Sequence, residues 1–247
     1  MILETERIYE LETELADLNE NNLLKPHGYQ KLFVKLGDKH LSNIDINVDT
    51  TMENNLAWAF ISISLEIVKP VEGIIKLIGK TWHSQRKGPF YRREYLFTDE
   101  NGEILMKGAS YSVLLDMEKR TIYRKKDTPF FISEPIEDFT IEAKANEKIN
   151  LSFTKIDERI AHNSYIDCLG HVNNTRYDEF SYDVFTDKEV DNLKNLKRMD
   201  IYFKSELRKN DKFSIHKVYN GNSIYIRGEN DTKEDISFDI AFTFNNI

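Results

Sequence analysis

The chain has 247 residues, 40% apolar and 31% charged, which is the composition of a folded globular protein and excludes a disordered one. A net charge of -8 argues against nucleic acid as the main partner, and no run of 18 apolar residues suggests a membrane span. The single cysteine, Cys168, excludes an intramolecular disulfide framework and points to a reducing compartment, the cytoplasm.

The opening stretch MILETERIYELETE has acids at its fourth and sixth positions and no long apolar core, so it reads as a short strand and not as a signal peptide. An acid-and-amide cluster follows in ADLNENNLL: Asp17, Asn19, Asn21 and Asn22. Tyr29, Leu32, Phe33 and Leu36 then recur at helical spacing. LAWAFISISLEIVK alternates, with Ala59, Ile61, Ile63, Leu65 and Ile67 on one face and Trp58, Phe60, Ser62, Ser64 and Glu66 on the other. EGIIKLIGKTW reads as the next strand. A meander continues to residue 124, with an Asn-Gly turn in DENGE and a second turn near DMEKR. Residues 128–148 carry two prolines and no periodicity, and read as a linker.

Strand patterns resume at KINLSFTKI and continue in NLKRMDIYFKSEL, KFSIHKVYNGNSIYIRG and EDISFDIAFTF. Before them all but the first lies YIDCLGHVNNTRYDEF. There Tyr177, Phe180, Ser181, Val184 and Phe185 have helical spacing, and Asn173 or Asn174 can cap the helix. The order strand, helix, several strands therefore occurs twice. Asp17, Asn19 and Asn21 are spaced like Asp167, Leu169 and His171, and an internal duplication is the simplest account. The expectation is an α+β protein of two domains, 1–127 and 149–247. Each is an antiparallel sheet wrapped around a long central helix, the two helices side by side under one continuous sheet.

DCLGHVNNTRY resembles the Asp-x-Asn-x-His-Val-Asn-Asn-x-x-Tyr motif of the acyl-acyl carrier protein thioesterases. NNLAWAFISISLEIVKPVEG, TWHSQRKGPFYRREYLFTDENGEIL, GASYSVLLDMEKRTIYR and YFKSELRKND are similar to that family's segments in the same order, over roughly residues 5 to 245. The resemblance implies two tandem hotdog domains forming a pseudo-dimer. It implies hydrolysis of fatty acyl-acyl carrier protein to free fatty acid and carrier in fatty acid biosynthesis, with no metal and no cofactor. The partner it implies is acyl carrier protein bearing a phosphopantetheine-linked acyl chain, acting on a monomer or a homodimer. One departure stands out: Leu169 occupies the place of the family's first Asn, and leucine has no donor or acceptor with which to position a thioester.

Thioester hydrolysis needs an activated water and a donor for the carbonyl oxygen. Gly170 and His171 lie just before a helix start, where backbone N–H groups are free and glycine permits close approach. Asp167 is suited to activating water or orienting the His171 ring; a turn aspartate that bonds local N–H groups is the plainer reading. His171 is suited to polarising the carbonyl, Asn173 and Asn174 to supporting the turn. Glu206 is implied by the resemblance as the acid that activates water. Simple alternation in DIYFKSEL gives it to the polar face with Tyr202 and Lys204, so that role needs a bulge to re-aim it. Cys168 reads as a small half-buried hydrophobe rather than a nucleophile.

The family's acyl tunnel lies in the first domain, which makes Trp58, Phe60, Ser62 and Ser64 the candidate lining. Two basic groups, Lys80, Arg86, Lys87, Arg92 and Arg93 and then Lys204, Arg208 and Lys209, can attract an acidic carrier protein or serve only as solvated faces. The N-terminal cluster reads as a degenerate structural copy of the site, with a contribution from Asn19 as the alternative. Leu169 also keeps two further readings open: an acyl-CoA thioesterase, whose turn often has Asp-x-x-Gly as Asp167 and Gly170 do here, and a non-catalytic acyl-thioester-binding hotdog protein. Regulators of that last kind carry a helix-turn-helix, for which the N-terminus leaves no room.

Overall fold

The computed structural model describes residues 7–245. The outermost positions of both expected domains, with the acids of the opening stretch, lie outside the described residues. The chain forms two compact units. One takes Met1–Thr13, Leu32–Lys69 and Ile74–Ala145; the other takes Glu14–Lys31, Pro70–Gly73 and Asn146–Ile247. Each sets an antiparallel sheet against a helix, which is the expected hotdog arrangement. No helix among the described residues is long and apolar enough to cross a membrane.

In the first unit, β1 (Ile8–Glu12), β2 (Leu56–Ile67), β3 (Lys76–Lys87), β4 (Phe90–Thr98) and β5 (Ile104–Asp116) pair in the order β1-β3-β4-β5-β2, with the short β6 (Thr121–Ile122) on β5. The helix α1 (Pro26–Asn43) lays Phe33 on this sheet, 4.7 Å from the ring of Tyr95 and 5.1 Å from that of Phe97. Gly108 makes room for it: a Cβ there would stand 2.5 Å from the Phe33 ring. The short α2 (Val48–Glu53), capped by the Asn47 side chain accepting from Thr50 N–H, has no counterpart in the sequence expectation.

In the second unit, β7 (Thr154–Ile160), β8 (Leu196–Phe203), β9 (Lys212–Asn220), β10 (Ser223–Asn230) and β11 (Asp235–Phe244) pair in the order β8-β11-β10-β9-β7. The helix α3 (Thr175–Tyr182) packs on them. Tyr177 stacks on Phe238 at 4.6 Å, and Phe180 lies 5.0 Å from Phe213. At eight residues α3 is not the long helix expected. The Ser181 hydroxyl bonds back to the Tyr177 carbonyl, and Thr186 with Glu189 forms a capping box that starts a new helix, α4 (Asp187–Asp191), so Val184 and Phe185 fall between helices.

Residues 123–153 form neither helix nor strand, yet they are tied down. On the first unit the Trp82 indole donates to the Asp138 carbonyl and Ser62 to that of Lys144. The fully buried Glu94 carboxylate accepts from Ser84, Arg92 and the Thr140 N–H, while Arg92 also donates to the Ile141 carbonyl. The second unit repeats the device: fully buried Asp239 pairs with Arg227, which donates to the Ile149 carbonyl. A buried carboxylate is tolerable only when paired and hydrogen-bonded, so each strap closes over a satisfied ion pair.

Candidate active site

Two segments of the second unit meet at the motif. The Val172 N–H donates to the Leu207 carbonyl at 2.8 Å, and the Leu207 N–H donates to the Tyr177 hydroxyl at 3.3 Å. Burial pushes the Tyr177 phenol up to about 12, so it stays neutral as an acceptor. These two bonds hold Glu206, the residue before Leu207, beside the turn. Glu206 is not on a strand, because β8 ends at Phe203. The N–H groups of Lys204 and Ser205 both donate to the Ser237 carbonyl, at 2.8 and 3.2 Å, which is the two-against-one pattern of a bulge. That bulge breaks the alternation on which the sequence argument rested.

Within the turn, Asp167 Oδ1 accepts the Leu169 N–H at 2.9 Å, and Oδ2 lies 3.6 Å from His171 Nδ1. The Gly170 backbone has φ +84°, a region that L side chains rarely adopt, and its N–H is engaged by the Asp167 carbonyl at 3.1 Å. Asn173 Oδ1 accepts the N–H and the hydroxyl of Thr175, capping α3, whereas Asn174 makes no side-chain cap. Leu169 is half-buried, and Cys168 is exposed rather than half-buried as expected. Burial pushes the Glu206 carboxyl up; the hydrogen bonds from Arg208 and the charges of Arg208, His171 and Lys233 together outweigh it and hold the group below its ordinary value.

The N-terminal turn repeats this backbone bond for bond, but two residues out of the expected register. Asn19 N–H donates to the Leu23 carbonyl as Asp167 N–H does to His171, at 2.9 and 3.0 Å. Asn22 N–H returns to the Asn19 carbonyl as Gly170 N–H does to Asp167, and Asn22 has φ +61°. Leu24 N–H reaches the Val71 carbonyl, and Val71 N–H the Tyr29 hydroxyl, as Val172, Leu207 and Tyr177 do. The structural equivalents of Asp167, Leu169, His171 and Glu206 are therefore Asn19, Asn21, Leu23 and Pro70. Asp17 is instead paired with Lys31 at 2.9 Å. Asn19 Oδ1 accepts the N–H groups of Asn21 and Leu23 at 3.0 and 2.9 Å, so this side chain serves its own turn.

The four acyl-pocket candidates do not share a face. A bulge between Phe60 and Ser62 shifts the β2 register, pairing Phe60 with Ser112 but Ser62 with Tyr111. Trp58 and Phe60 join Ile63 and Leu65 on the side of Gly108 and α1. Ser62 and Ser64 face the opposite way, where Ser62 holds the strap. Trp58, like Tyr123, Phe130 and Ile132, packs against the buried cluster of Leu56, Tyr91 and Leu114, its ring 5.0 Å from that of Tyr91. Of the basic candidates, Arg92 is buried against Glu94, Lys204 pairs with Asp239, and Arg86 and Lys87 are exposed. Among the described residues no group of three or more His, Cys, Asp or Glu is arranged to hold a metal ion.

Comparison with known proteins bears on this geometry. Residues 3–128 match the model of the acyl-ACP thioesterase N-terminal domain, and residues 141–245 that of the acyl-ACP thioesterase C-terminal domain. No curated protein matches the sequence. Among solved structures, an acyl-ACP thioesterase from Bacteroides thetaiotaomicron is 18% identical, with a TM-score of 0.83 over 99% of this chain and 100% of that one. The 12:0-ACP thioesterase from Umbellularia californica is 15% identical, with a TM-score of 0.81 over 96% and 97%. At these identities the structures establish the shared fold.

Proposed function

Because this chain belongs to the acyl-acyl carrier protein thioesterase family, we propose that its hydrolysis of fatty acyl-acyl carrier protein is carried out by Asp167, His171 and Glu206. Water attacks the thioester carbonyl carbon while Glu206 takes one of its protons. The carbon–sulfur bond then breaks, and the proton passes to the departing phosphopantetheine sulfur, which leaves free fatty acid, carrier thiol and an ionised Glu206. Asp167, with one oxygen anchored on the Leu169 N–H, orients the His171 ring, which polarises the carbonyl. Arg208 keeps Glu206 ionised and ready to accept.

The observation that carries this reading is the pair of bonds from Val172 to Leu207 and from Leu207 to Tyr177, which bring a loop carboxylate to the Asp167–His171 turn. We assign the reaction to fatty acid biosynthesis in the cytoplasm, a reducing compartment that suits the exposed thiol of Cys168. The test is a hydrolysis panel of fatty acyl chains of several lengths on acyl carrier protein and on coenzyme A. Faster release from the carrier protein, and a fall in kcat of about 10²–10⁴-fold in Glu206→Gln, are expected. Preference for coenzyme A, or an active Glu206→Gln, contradicts the proposal.

A further inference from the structure

We infer that the backbone N–H of His171, and not that of Gly170, receives the thioester oxygen as negative charge develops on it; this rests on the reading of the Asp167–His171 turn as the catalytic one. A donor must be free before it can meet a substrate, and most of this turn's N–H groups are already engaged. Asp167 N–H donates to His171, Leu169 N–H to the Asp167 side chain, Gly170 N–H to the Asp167 carbonyl, Val172 N–H to Leu207 and Asn173 N–H to Tyr165. Among the described residues from Asp167 to Asn173, the N–H groups of Cys168 and His171 have no partner.

The N-terminal turn separates these two. Its equivalent of the His171 N–H is that of Leu23, and there the donor is closed: Asn19 Oδ1 accepts it at 2.9 Å along with the N–H of Asn21. In the second turn Asp167 Oδ1 keeps only the Leu169 N–H, and the other oxygen turns toward the His171 ring at 3.6 Å. The change from Asn19 and Leu23 to Asp167 and His171 thus does two things at once. It supplies an acid and an imidazole, and it uncovers a backbone donor on the residue that carries the imidazole. A fixed backbone dipole needs no reorganisation when charge appears, which is why such donors act strongly on a transition state. It also gives the thioester oxygen a partner that does not depend on an amide side chain at position 169.

The test replaces the 171 peptide N–H by an ester oxygen, using the α-hydroxy acid analogue of histidine in the full chain. Loss of a single such donor is expected to lower kcat about 10²–10³-fold, with kcat/KM falling equally, as for an interaction made only in the transition state. The same replacement at Cys168 is expected to leave both unchanged. In the free protein, the His171 N–H is expected to exchange with solvent faster than that of Leu23. It is expected to slow when an amide analogue of acyl-pantetheine, with carbonyl kept and sulfur replaced by nitrogen, is bound. Full kcat in the 171 ester, loss in the 168 ester, or equal exchange at Leu23 and His171 overturns the inference. An Asp167→Asn variant assayed beside them separates the two claims: if it hydrolyses normally, the turn itself is not the catalytic one, whereas if it is inactive and the 171 ester is active, only the donor assignment fails.

Discussion

The two turns Asn19–Leu24 and Asp167–Val172 have the same internal backbone bonds, a positive φ at the same place, and the same anchor on a buried tyrosine hydroxyl. Burial pushes both phenols, Tyr29 and Tyr177, up to about 12. Among the positions that differ, three bear on the proposed chemistry: Asn19 against Asp167, Leu23 against His171, and Pro70 against Glu206. The same backbone scaffold thus occurs twice, and only one copy carries an aspartate, an imidazole and a glutamate. The backbone of such a turn reports a fold, and its activity depends on which side chains it presents.

Changes made at equivalent positions in both turns test this contrast. The largest effect belongs to the carboxylate: Glu206→Gln is expected to cost about 10²–10⁴ in kcat, as loss of a general base does, while Pro70→Ala is expected to leave kcat as it was. Next come the anchors. Tyr177→Phe and Tyr29→Phe each strand a buried N–H and are expected to destabilise the protein by similar amounts, about 1–3 kcal/mol in urea unfolding. Only Tyr177→Phe is expected to lower kcat as well, because the Leu207 N–H fixes the loop that bears Glu206. Equal kcat in the two variants would show that this loop needs no anchor.

Asp178 and Gln30 form another equivalent pair, each one residue after its tyrosine, each fully buried, and neither with a hydrogen-bond partner for its side-chain polar atoms. Burial, then the charge of Glu179, pushes the Asp178 carboxyl well above the ordinary 3.8. The folded protein therefore holds a proton that the unfolded chain releases. The contribution of this one group to stability is full below pH 3.8 and declines as pH rises toward the folded value. Asp178→Asn is expected to remove this decline, so its advantage in urea midpoint over the natural chain grows between pH 5 and pH 8. An advantage that stays constant with pH would mean that Asp178 is ionised in the fold.

Smaller still is the effect of Arg208→Ala. The natural Glu206 carboxyl lies below its ordinary 4.5 and stays ionised as pH falls through that value. Without Arg208 the acid limb of kcat/KM should move to higher pH, with little change at pH 7. An unmoved limb would assign it to another group.

Much of the fold was legible because periodicity and turn chemistry report local geometry. Phe33 and Leu36 lie in the core as their spacing implied, the Asn101-Gly102 turn sits between β4 and β5, and the YNGNS segment turns between β9 and β10, at Gly221-Asn222. Bulges were not legible. They leave no mark in a run of alternating residues, so Ser62 and Ser64 appeared to share a face with Trp58, and Glu206 appeared to sit on a strand. The duplication is visible in the sequence, but its acids do not mark the register: aligning Asp17 with Asp167 misplaces it by two. The informative residues were Tyr29 and Tyr177 and the positive-φ positions Asn22 and Gly170, which the backbone bonds require in both copies. Asp167, His171 and Glu206 came from motif resemblance; the tie from Leu207 to Tyr177 that joins them is a tertiary contact that no local pattern encodes.

The most direct measurement is steady-state release of fatty acid from acyl carrier protein by Asp167→Asn and Asn19→Asp, assayed side by side. The first variant gives both turns an asparagine, and the second gives both an aspartate. Asp167→Asn is expected to lose at least about 10² in kcat, as removal of a group acting in proton transfer does, and Asn19→Asp to match the natural chain. Undiminished turnover in Asp167→Asn, or a comparable loss in Asn19→Asp, would contradict the assignment of catalysis to the second turn.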